Sequence, residues 1–128
     1  MNKQIIVTAA FFGLLAVIAG AFGAHALQDR LDAKQLEIWH TAVQYQFYHT
    51  FALLFLATFT RFKNNLISAA YYLFTFGIIC FSGSLYLFAF SHLFGWNLPT
   101  IIGIITPVGG LLFIAGWATL AVAAIRNK

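Results

Sequence analysis

Long apolar runs separated by short polar breaks set the plan of this chain. The first run extends from Ile5 to Leu27 and is interrupted only by Thr8, several glycines and His25. About 20 apolar residues at 1.5 Å each cross a hydrocarbon layer about 30 Å thick, so the pattern predicts a spanning helix over 5–27. A cleaved signal peptide is the competing reading, since Lys3 supplies a basic start and Ala24-His25-Ala26 resembles a cleavage site. A signal's apolar segment is about 7–15 residues and this run is longer, so a retained helix is expected.

Gln28 to Glu37 is the one hydrophilic segment of any length, and it holds all three acids, Asp29, Asp32 and Glu37. Asp32 followed by Gln35 reads as a capping box, each side chain satisfying a free backbone N–H at a helix start. A second helix over 33–60 follows, about 42 Å long, so its first turns project beyond the hydrocarbon. Trp39 falls at belt depth and His49 near mid-membrane. Arg61 to Asn65 makes a short basic turn, a third helix covers 66–90, Ser91 to Pro99 connects, and a fourth helix covers 100–125 with Pro107 in its second turn. No repeat or linker breaks the chain, so residues 1–128 are expected to form a single membrane domain. The fold class predicted is all-α: an antiparallel bundle of four transmembrane helices.

Composition agrees. Hydrophobic residues make up 62% and charged residues 8%; a soluble domain is about 45–50% apolar and about 25% charged. The excess cannot fit into one core, so lipid must solvate much of it. The net charge of +4 is spread over loops, without the clustering on one face that nucleic-acid binding needs. A lone cysteine, Cys80, excludes a disulfide framework, and its apolar surroundings disfavour a thiolate. Lys3, Arg61, Lys63, Arg126 and Lys128 fall on one side of the membrane, Arg30 and Lys34 on the other, which predicts both termini in the cytoplasm.

The second run is where chemistry would be sought. On a helical wheel Thr41, Gln44, Tyr45 and Tyr48 form a polar stripe, flanked by His40 and His49. Polar groups at bilayer depth usually face a bundle interior or a cavity, so the stripe is expected to point at the sister helices. His49 lies one turn from Tyr45, which makes a hydrogen bond along the helix natural. Interhelical bonding is the common use of such groups; a ligand or proton site is the sharper one. His25 and His40, near the outer ends of adjacent helices, could approach each other. Two histidines fall short of the three protein ligands of a catalytic zinc site, and His49 is too deep to join them, so no metal is expected. No histidine pair supports haem ligation strongly, and no cofactor is expected.

Small residues mark close helix packing: Gly20 and Gly23 on the first helix, Gly83 and Ser84 on the third, Gly109 and Gly110 on the fourth. The serines have no recognisable general-base partner, so no catalytic residue is assigned. Depth counting puts His25, His40, Gln44, Tyr45, Ser82, Ser84, Tyr86 and Thr106 in the outer half, above an apolar inner half. If these converge, a polar vestibule opens outward with His49 as its floor.

Four segments, Gly20-Ala21-Phe22-Gly23-Ala24-His25-Ala26-Leu27, Trp39-x-Thr41-Ala42-x-x-Tyr45-Gln46-x-Tyr48-His49, Phe81-Ser82-Gly83-Ser84-Leu85-Tyr86 and Ile105-Thr106-Pro107-Val108-Gly109-Gly110, together resemble the YgdD/YwdK-like small integral membrane proteins. The resemblance covers essentially the whole chain. It implies a four-helix protein of the bacterial inner membrane and carries over no catalytic residue, because that family has none assigned. Two readings follow. One is a non-enzymatic ligand-binding or transport-type bundle, with His25, His40, Gln44, Tyr45, Tyr48 and His49 as candidate binding residues. The alternative is a structural or assembly subunit. In either case the partners expected are the bilayer and further membrane subunits or copies of the chain, and no nucleic acid.

Overall fold

The computed structural model describes residues 2–59 and 65–126. Among them, the regular structure is all helical: α1 is Lys3–His25, α2 Ala33–Leu56, α3 Asn65–Phe94 and α4 Thr100–Arg126. The basic stretch Arg61 to Asn64, the expected end of the second helix at Thr60, and Asn127 and Lys128 lie outside the described residues.

Local contacts account for several of the helix ends. Asn2 caps α1 by accepting from the Ile5 N–H at 3.3 Å, and Asp32 caps α2 by accepting from the Gln35 N–H at 2.8 Å. The box expected there is only half made, because Gln35 is buried and its Oε1 has no partner. α3 runs four residues beyond the expected 90. Ser91 and His92, read as loop from their polarity, stay helical: the Ser91 hydroxyl donates back to the Phe88 carbonyl at 2.7 Å. What stops the helix is Gly95, at φ +67°, with the Trp96 N–H returning to the Ser91 carbonyl at 2.9 Å. A left-handed glycine followed by that six-residue return bond is a helix-ending motif that needs no polar residue upstream.

α1, α3 and α4 are long and apolar enough to cross a membrane; α2 misses that description because of its glutamines, tyrosines and histidines. Yet α2 sits in the middle of the packing order, against α1 on one side and α3 on the other, with α4 packed on α3. The Asn2 N–H donates to the Ala57 carbonyl, Gly13 lies against Thr50 and Gly20 against Val43. The start of α1 therefore lies beside the end of α2. One apolar core fills the half of the molecule around Ile5, Leu53, Leu56 and Phe74, and a smaller one surrounds Trp39 with Leu27, Leu31 and Ala89. The remaining surface of α1, α3 and α4 is covered by exposed Val, Ile, Leu and Phe side chains, suited to acyl chains rather than water.

Candidate functional site

The face that α2 turns inward reads Trp39, Ala42, Gln46, His49, Leu53 and Leu56, all buried, at alternating spacings of three and four. It is not the expected stripe. Gln44, Tyr45 and Tyr48 are exposed and Thr41 is half-buried. The helix has turned so that Trp39, Ala42, Leu53 and Leu56 are covered, and the polar residues that share their face, Gln46 and His49, go in with them. Sequence reasoning passed over Gln46. The signal was available in the three-four spacing that links it to Trp39, Leu53 and Leu56.

His49 is held on both ring nitrogens. Nδ1 lies 2.7 Å from the Tyr45 carbonyl, and the Trp117 indole N–H of α4 donates to Nε2 at 3.1 Å. A carbonyl only accepts and an indole N–H only donates, so these partners assign a neutral ring with its hydrogen on Nδ1. Phe113 stacks on the imidazole with centroids 3.5 Å apart and planes within 6°. Neither nitrogen is left to bind a metal or pass a proton without breaking a bond within the chain.

Gln46 joins three helices. Its Nε2 donates to the Phe12 carbonyl of α1 at 2.8 Å, and its Oε1 accepts from the Tyr86 hydroxyl of α3 at 2.7 Å. Around it, Trp39 Nε1 donates to the Ala19 carbonyl at 2.8 Å and Ser82 Oγ to the Ala42 carbonyl at 2.7 Å. Ser84 and Thr106 exchange a hydroxyl bond between α3 and α4, as Thr8 and Tyr71 do between α1 and α3. Ser82, Ser84, Tyr86 and Thr106, expected to line a vestibule, thus spend their polar atoms on neighbouring helices.

Two grooves remain. One of about 480 Å³ runs between α1 and α3 over the Trp39–Gln46 face of α2, and its lining is almost wholly apolar. The other, about 750 Å³, lies between α2 and α4, with Tyr45, Tyr48, His49, Phe81, Pro107 and Trp117 in its walls. Tyr45 packs on Phe81 with centroids 4.7 Å apart. His25 and His40 are both exposed, away from the groove around His49. No three His, Cys, Asp or Glu residues come together among the described residues.

The small residues divide. A Cβ on Gly23 would come within 2.6 Å of the Trp39 ring, and one on Gly109 within 2.8 Å of the Phe81 Cα. Gly20 and Gly110 would make ordinary contacts, and Gly83 faces open space in the α1–α3 groove. Gly77 beneath Phe113 and Gly116 beneath Phe74 are close-packing positions of the same kind as Gly23.

What this arrangement can do chemically is limited: its acids lie outside the interior and its histidine is fully bonded. Comparison with known proteins agrees on the class. Residues 19–110 match the family described as "Protein of unknown function (DUF423)". The chain is 40% identical to the UPF0382 membrane protein YwdK of Bacillus subtilis over 127 residues, covering 97% of this chain and 98% of that one. It is 40% identical to the UPF0382 inner membrane protein YgdD of Escherichia coli K12 over 131 residues, covering 99% and 93%. A UPF0382 membrane protein of Staphylococcus epidermidis is also 40% identical, over 97% of both chains. No solved structure matches. The YgdD/YwdK resemblance therefore stands, and the chain belongs to the DUF423 family, as a multi-pass protein of the bacterial cytoplasmic membrane.

Proposed function

We propose that this protein is a non-enzymatic structural or assembly component of the membrane. The observation that carries the reading is the bonded polar interior: Trp39, Gln46, His49, Ser82 and Tyr86 border the two grooves but spend their polar atoms on sister helices. The binding or transport-type reading draws less support, because its candidate residues His25, His40 and Gln44 are exposed outside the groove around His49, and Tyr45 and Tyr48 share with His49 only an open groove of mainly apolar lining. Purification in mild detergent, followed by native mass measurement, tests the proposal. An assembly of fixed composition is expected. A monomer at every detergent ratio, or one that carries a stoichiometric small molecule, would overturn it.

In this reading all four helices span the bilayer as an antiparallel bundle. α2 has 24 residues, about 36 Å of helix, which is ample for the crossing. Its polar inner face is tolerated because the bundle, not lipid, covers it. The contact of Asn2 with Ala57 supports the antiparallel pairing of α1 and α2. Basic residues outnumber those of the opposite side at the ends bearing Lys3 and Arg126, which supports both termini inside. A C-terminal reporter that works only in the cytoplasm is expected to be active, and activity of a reporter that works only outside would reverse the topology.

A further inference from the structure

α2 carries a second three-four seam on the face opposite the one it buries. Thr41, Gln44, Tyr48, Phe51 and Phe55 follow one another at spacings of three, four, three and four. Gln44, Tyr48, Phe51 and Phe55 are exposed, Tyr48 by 52% and Phe51 by 60%. This is the spacing by which helices of a left-handed coiled coil meet. Depth makes the face unusual. Val43 abuts Gly20 and Thr50 abuts Gly13, so Tyr48 lies beside the middle of α1 and Gln44 about one turn nearer its C-terminal end, both within the length of that apolar helix. Neither the Gln44 amide nor the Tyr48 hydroxyl hydrogen-bonds to another described residue. Lipid tails offer such groups nothing.

We infer that the Gln44–Tyr48 face of α2 is a self-association interface that packs against the same face of a second copy of this chain. The inference deepens the assembly reading above and rests on it. Three features select a copy over a foreign subunit. A carboxamide is both donor and acceptor, so two glutamines across a two-fold axis can satisfy each other. Copies inserted with one topology bring their α2 helices together in parallel, which sets Gln44 opposite Gln44 at the same depth. A polar side chain such as Gln44 within a three-four seam is also the device that fixes register in parallel helix pairs.

Thiol crosslinking in native membranes tests this, because Cys80 is the sole cysteine and can be removed as Cys80→Ala. In that background Gln44→Cys and Tyr48→Cys are expected to give a product of twice the monomer mass with a short bifunctional thiol reagent. Val17→Cys, exposed on α1 at similar depth, is expected to stay monomeric. Gln44→Leu should weaken self-association about threefold to twentyfold, the range of single polar contacts between membrane helices. Equal crosslinking at all three positions, or none at Gln44 and Tyr48, overturns the interface. A crosslink from Gln44→Cys to a different protein also overturns it, while leaving the assembly reading intact. Crosslinking of neither kind, with a monomer by native mass, removes both.

Discussion

Trp39→Ala should destabilise the fold by about 3–5 kcal/mol, the range for truncating a buried large aromatic side chain. The indole is 3% exposed and fills the space above Gly23, which has no side chain of its own. It meets Tyr86 edge-on at 4.6 Å and Phe90 at 5.1 Å between centroids, and it donates to the Ala19 carbonyl. Alanine would leave a cavity at the junction of three helices and strand those contacts together. Trp96→Ala is the matched control: that indole is 54% exposed and, among the described residues, stacks on Phe94 alone, so its loss should change stability by less than about 1 kcal/mol. Unfolding in a detergent titration reads both. Similar losses for the two tryptophans would show that Trp39 is not the packing centre described here.

The second large effect is expected at Gly109. Its built Cβ overlaps the backbone of Phe81, lying 2.8 Å from Cα, so α3 and α4 touch main chain to main chain there. Gly109→Val would have to push the helices apart, because backbone cannot rotate away as the end of a side chain can. The Ser84–Thr106 bond, one turn along the same contact, would be strained with it. Overpacking usually costs about 1–3 kcal/mol, and the upper end or beyond is expected where a backbone is the obstacle. Gly103→Val should stay within about 0.5 kcal/mol, since nothing lies within 4 Å of its Cβ position. Equal effects at the two glycines, measured by the same titration, would refute the close approach.

The existence of four helices was legible because a spanning helix needs only an apolar run of the right length, and Ile5 to Leu27 supplies one without ambiguity. Their ends were less so. α3 passes through Ser91 and His92 because Ser91 can bond to its own helix, and only the backbone angle of Gly95 ends it. The orientation of α2 was the larger difference. Polarity marks Thr41, Gln44, Tyr45 and Tyr48 as a group, but which face a helix buries is decided by its whole pattern. Trp39, Ala42, Leu53 and Leu56 fix the inner face, and Gln46 and His49 lie between them at matching spacing. Partners more than 30 residues away, Phe12 for Gln46 and Trp117 for His49, could not be read from local spacing at all. Those partners are what separate interhelical bonding from an open site.

The central claim is that polar side chains inside this bundle tie helices to one another, with His49 between α2 and α4. A double-mutant cycle on His49→Leu and Trp117→Phe, read as unfolding free energy in mild detergent, addresses it directly. A coupling of about 0.6–1.7 kcal/mol is predicted, the span measured for hydrogen-bonded pairs between membrane helices. Strictly additive losses, or a His49→Leu protein as stable as the parent, would contradict it.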